Sequence, residues 1–98
     1  MLDSHIEDLP PLRSQRSHFN PLVYCRYFSP DCSRSWLVIE GTRFEDDFCF
    51  FCCMLNGRQQ RWGTILLSEL SRFRGPMGMP VERDTRFVPR PLRRVAGN

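Results

Sequence analysis

Residues 48–55 read Phe-Cys-Phe-Phe-Cys-Cys-Met-Leu, an unbroken apolar run in a chain of 98 residues. As a strand this segment is apolar on both faces, whereas a strand with one wet side alternates. It therefore belongs in the interior of a sheet, covered from above and below. Its flanks agree with that placement. Glu45-Asp46-Asp47 makes an exposed acidic connection before it, and Asn56-Gly57 is a strong hairpin signal after it, opening a longer loop through Arg58-Gln59-Gln60.

The neighbouring segments supply partners for this strand. Residues 22–28 are rich in aromatic and aliphatic side chains and stop at the turn sequence Ser29-Pro30-Asp31, residues 36–39 form a second strand ended by Gly41, and residues 61–67 form a fourth. Ser68 fits a helix N-cap with Glu69 favourable in the first turn, and Leu70 and Phe73 share one face of a short helix that Gly75-Pro76 terminates. Residues 85–88 are extended and complete the sheet before Pro89 and Pro91 end pairing. The expectation is an α+β fold in a single small domain, an antiparallel sheet of about four to five strands with one short helix packed on it. Residues 1–20 read as a flexible lead-in, 21–92 as the domain and 93–98 as a basic tail.

A chain this short holds one core and leaves no room for a separate cofactor domain. All 14 basic residues are arginine, whose planar guanidinium pairs bidentately with carboxylate or phosphate and stacks on rings. Their placement is uneven. Residues 1–47 hold 5 Arg and 8 acids, a balance of −3, and residues 48–98 hold 9 Arg and 3 acids, a balance of +6. The longest apolar run is 8 residues, far below the ~20 that cross a bilayer, so no membrane span is expected. An odd count of 5 cysteines behind an N-terminus that lacks a basic start and apolar run points to a reducing cytoplasm.

Trp36-Leu37-Val38-Ile39-Glu40, the helix start Ser68-Glu69-Leu70, Gly75-Pro76-Met77-Gly78-Met79-Pro80, Glu82-Arg83-Asp84 and Phe87-Val88-Pro89 follow one another in an order that is itself a signature. Over residues 22–92 the chain resembles a small bacterial, plasmid-borne and phage-borne domain, domain-of-unknown-function family two thousand nine hundred fifty-eight. The resemblance implies a small α+β domain carried by mobile elements, often beside antirestriction and other counter-defence genes, and it supplies no catalytic residue. Gln59-Gln60-Arg61-Trp62-Gly63 departs from the pattern, placing Arg where the family shows an acidic loop.

The chemistry-bearing residues divide into four groups. Cys49, Cys52 and Cys53 have a zinc-like spacing, but on a strand Cys52 faces away from the other two, so they read as small core residues and no metal is expected. His5 and His18 both fall in the lead-in read as flexible, and a catalytic Cys-His pair needs one of them fixed beside a thiol, so none is expected. No phosphate loop, catalytic triad or nucleotide fingerprint is present, so no catalytic residue and no cofactor are assigned and the chain reads as a non-enzyme. Glu82, Arg83 and Asp84 read as a structural ion-pair cluster, with Glu40 as a partner for one of the arginines.

The remaining group is the surface. Glu45, Asp46 and Asp47 form an acidic patch able to mimic phosphate, and Arg58, Arg61, Trp62, Arg72 and Arg74 form an arginine patch with an aromatic in it. Together they are the expected partner-binding residues. The leading expectation is a phage or mobile-element protein that inhibits a host defence system by contact with a protein subunit, such as a CRISPR effector or a restriction component. The alternative is a nucleic-acid-binding accessory protein in which Arg58, Arg61, Trp62, Arg93 and Arg94 meet phosphates and bases. A monomer and a homodimer paired through an edge strand both fit this sequence.

Overall fold

The computed structural model describes residues 21–96. In chain order the elements are β1 (Leu22–Val23), β2 (Cys25–Phe28), β3 (Arg34–Phe44), β4 (Asp47–Asn56), β5 (Gln59–Leu66), α1 (Leu67–Arg72), β6 (Glu82–Arg83), β7 (Arg90–Pro91) and α2 (Leu92–Ala96). β2 to β5 form an antiparallel meander, and β6 returns to the far edge beside β2, giving the order β5-β4-β3-β2-β6. β1 and β7 make a separate two-stranded ribbon. Sheet dominates the domain, and both helices are short.

The two-sided strand is β4, and it lies in the sheet interior as its composition predicts. Phe48, Phe50 and Cys52 join Cys25, Tyr27, Trp36 and Val38 on one face, which Leu70 of α1 and Val81 cover. Cys53 joins Val23, Leu37 and Ile39 on the other face, which Phe87, Leu92 and Val95 cover. The chain after β5 thus crosses one face to reach β6, then packs the opposite face with its last helix. A bulge between Val38 and Glu40 in β3 shifts the register there, and Glu40 is fully buried beside it.

Several boundaries differ from the sequence reading. Residues 22–28 split at Tyr24 into two strands in different sheets. Asn56-Gly57 opens no long loop: β5 begins at Gln59, and Gly57 takes a φ of 65° at the first of two turn residues, a position open to glycine without cost. Residues 85–88 add no strand. The sheet is completed by β6, because Asp84 turns the chain by accepting from the Arg86 amide at 3.1 Å through its carboxylate and from the Phe87 amide through its carbonyl. Pro91 pairs with Leu22 in the ribbon rather than ending pairing, and Arg93 and Arg94 sit in α2 rather than in a tail. The lead-in assigned to residues 1–20, with His5 and His18, lies outside the described residues. No helix among the described residues is long and apolar enough to cross a membrane.

Candidate functional site

Ser68 is not the N-cap of α1. Leu66 holds the cap position, and its amide donates to Glu69 Oε1 at 2.9 Å. Ser68 instead donates through its amide at 3.1 Å, and through its hydroxyl, to the Asp47 carboxylate. A carboxylate from the start of β4 therefore satisfies the open first turn of a helix twenty residues later in the chain. The bonds from the Ser68 hydroxyl and the Phe48 amide hold the Asp47 pKa below its ordinary value, and Arg72 adds to the effect. Asp47 belongs to the scaffold, whereas Glu45 and Asp46 stay exposed at the β3–β4 turn. Glu45 has a φ of 55°, a left-handed conformation that costs a residue with a Cβ about 1 kcal/mol.

At the opposite end of the sheet, three connections are tied together. Asp31, in the β2–β3 loop, accepts from the amides of Met77 at 2.8 Å and Met79 at 3.3 Å and from the Ser29 hydroxyl. Desolvation pushes the Asp31 pKa up, but these donated bonds outweigh it and leave the carboxyl below its ordinary value. Gly75 is required by the same clamp, since a Cβ there would fall on the Asp31 carboxylate. Ser33 Oγ donates to Asn56 Oδ1 at 3.0 Å, and the Gly57 amide donates to the Ser33 carbonyl, which joins the β4–β5 turn to the β2–β3 loop. Met77 is left 81% exposed on this fixed loop.

This end contains an open hollow of about 350 Å³ lined by residues 34–36, 54–56, Gln59 and Arg61. Its apolar base is the half-buried Met54 and the edge of Trp36, which is 4% exposed. The register pairs Trp36 with Met54 and Met54 with Arg61, so Arg61 projects on the Trp36 face. Arg34 lies two residues before Trp36 on that face, its guanidinium 5.7 Å from the Phe73 ring centroid, and Phe73 packs edge-on against Trp36. Among the described residues neither Arg34 nor Arg61 has a carboxylate partner, and no acid lines the hollow. Arg58 is exposed in the adjoining turn.

Trp62 pairs with Cys53 and so faces away from Arg61, stacked on Phe51 with 5.5 Å between centroids and 47% exposed. β5 is the outer strand, and its rim thus carries a guanidinium on one face and an indole on the other.

Residues 7–94 match the family model described as a protein of unknown function, DUF2958. The chain belongs to the DUF2958 family. The match begins well before residue 22, so much of the lead-in lies within the DUF2958 region rather than outside it. No curated protein and no solved structure matches the chain.

Elsewhere in this DUF2958 domain the arginines do not make one positive face. Arg74 donates to the carbonyls of Ser71 at 3.0 Å and Phe73 at 2.8 Å, closing the helix end, and Arg72 is exposed in the last turn of α1. Arg93 and Arg94 lie on α2, which packs on the other side of the sheet. Asp84 forms an ion pair with Arg26 at 3.2 Å. Glu82 is exposed, and Arg83 is half-buried opposite Tyr27.

The cysteines divide as strand alternation predicts, Cys52 on one face and Cys53 on the other. Burial pushes the Cys25 thiol up to about 12 and raises Cys52 and Cys53 as well, which suppresses their thiolates at neutral pH. Among the described residues no group of three or more His, Cys, Asp or Glu side chains is placed to hold a metal ion. Arg34, Asn56 and Gln59 were missed in the sequence. The two-residue spacing of Arg34 and Trp36 on the central strand is the signal available.

Proposed function

We propose that the protein is a non-enzymatic binding protein whose working surface is the arginine end of the sheet, and that its partner is single-stranded nucleic acid. The observation that carries this reading is the rim of β5. Arg58 and Arg61, which have no carboxylate partner among the described residues, offer guanidinium groups for phosphates, and the half-exposed Trp62, held flat by Phe51, offers a ring on which a base stacks. A strand crossing the rim meets both without any movement of the sheet. Arg34 extends the positive surface inward.

Fluorescence anisotropy with a labelled single-stranded oligonucleotide tests the reading. Trp62→Ala is expected to weaken binding by about 1–3 kcal/mol, the range measured for one base stacked on an aromatic. With Arg34, Arg58 and Arg61 on phosphates, log affinity falls against log salt with a slope of roughly −2. Binding that ignores both salt and Trp62 removes the proposal.

Glu45 favours a second reading. An acidic residue held in a left-handed conformation at an exposed hairpin tip suits insertion into a basic channel of a host defence subunit, such as a CRISPR effector or restriction component. That tip and the arginine end lie at opposite ends of the ten-residue β4, roughly 30 Å apart, so one compact contact does not use both. Charge reversal at Glu45 and Asp46 is expected to abolish such inhibition and to leave oligonucleotide binding intact.

A further inference from the structure

The hollow beneath Arg34 and Arg61 is narrower in its chemistry than a surface for a polyanion. Its volume of about 350 Å³ sits at the lower end of ligand pockets, near 300–1,000 Å³, and suits one small molecule or one chain end. Arg34 of β3 and Arg61 of β5 line it from either side of β4, and among the described residues no acid is in the lining. The Arg34 guanidinium lies 5.7 Å from the Phe73 ring centroid, a contact through its face that a guanidinium can make while its N–H edges bind oxygens. Asn56 Oδ1 already accepts from Ser33, so its amide NH2 is the group left to donate to a ligand. Gly63 leaves space that the Met54 methyl fills, its absent Cβ lying 2.8 Å from Met54 Cε, and this keeps the floor apolar.

Two positive charges that no acid among the described residues offsets match a dianion. A phosphate monoester carries about −1.5 to −2 at pH 7 and presents oxygens to both guanidinium forks, whereas a diester inside a strand carries only one charge. We propose that this hollow binds a phosphate monoester on a nucleoside, either a free mononucleotide or the phosphorylated end of a nucleic-acid strand, with Arg34 and Arg61 on the phosphate and Trp36 and Met54 under the ring. The second of these sources rests on the nucleic-acid reading above, and the first does not.

The chain has 2 tryptophans, so Trp62→Phe leaves Trp36 as the sole indole and its fluorescence reports on the floor of the hollow. Adenosine 5′-monophosphate is expected to change that signal and to bind at least about tenfold more tightly than adenosine, the loss expected when charged hydrogen bonds are removed. Arg34→Gln and Arg61→Gln, each checked for fold by circular dichroism, are each expected to remove about tenfold of that affinity. Arg34→Lys, which keeps the charge but not the fork, is expected to recover part of the loss. Affinity should rise from pH 5 to pH 7 as the phosphate takes its second charge near a pKa of about 6. Calorimetry on the unaltered chain reads the same constant without the Trp62→Phe change.

A matched pair of oligonucleotides, 5′-phosphorylated and 5′-hydroxyl, separates the two sources. A preference of about tenfold for the phosphorylated strand supports a strand-end site. Binding of the mononucleotide with no binding of either oligonucleotide supports the hollow and removes the nucleic-acid reading. Equal binding of both oligonucleotides, with no discrimination between the mononucleotide and the nucleoside, overturns the hollow and leaves the nucleic-acid reading standing.

Discussion

Asp47 shows how one side chain can change class once its neighbours are known. In the sequence it is the last of three consecutive acids, and nothing local separates it from Glu45 and Asp46. In the fold its carboxylate is spent on the first turn of α1, a contact between residues 21 apart that no local pattern reveals. Its pKa is lowered in the folded state from an ordinary value of 3.8, so its contribution to stability is present above that pH and is lost as pH falls through the lowered folded value. Asp47→Asn is therefore expected to lower the urea midpoint at pH 7, and the gap from the unaltered chain should close as pH drops below 3.8. A gap that is constant with pH would contradict the account. Gly75 is the second residue of this kind. Sequence reading uses it only as a helix breaker, yet α1 already ends at Phe73, and the glycine is needed because Asp31 occupies the space of its Cβ. Gly75→Ala is expected to cost about 2 kcal/mol in urea unfolding, and an unchanged midpoint would mean that the clamp does not hold the loop.

Among the elements, β4 was the most legible because its composition admits one environment. An apolar strand of this length has two faces to hide, and the fold supplies a separate cover for each. The covers were less legible. Residues 92–96 look like a basic tail because Arg93 and Arg94 are adjacent, but Leu92 and Val95 are three apart and fall on one side of a single helical turn. Residues 85–88 look extended, but Asp84 supplies the turn bonds that stop the strand. The other cover, α1, has only six residues, too few to be stable alone, so it depends on the fully buried Leu70 and on the cap from Asp47. Leu70→Ala is expected to destabilise the domain by about 2–5 kcal/mol. Hydrogen exchange should then rise first in residues 67–72, whereas uniform acceleration across the sheet would show that α1 is not a separate unit.

At the scale of the whole domain, the described residues place the acidic Glu45-Asp46 tip at one end of β4 and Arg34, Arg58 and Arg61 at the other. The sequence distinguishes the two halves by charge but not their distance, because antiparallel turns alternate between the two ends of a sheet and only the register fixes which turn goes where. The same alternation separates Arg61 from Trp62, which stand side by side in the chain and on opposite faces in the fold. Both consequences favour a ligand that wraps the β5 rim over a flat contact that gathers every charge at once. A map of backbone amide shifts during titration with a short 5′-phosphorylated single strand at low salt tests that account most directly. Shifts concentrated at Arg34, Asn56, Arg58, Gln59, Arg61 and Trp62, and fading as salt rises, are the predicted result. Shifts centred on Phe44, Glu45 and Asp46, or on Arg93 and Arg94, would contradict it, as would a spectrum that does not change.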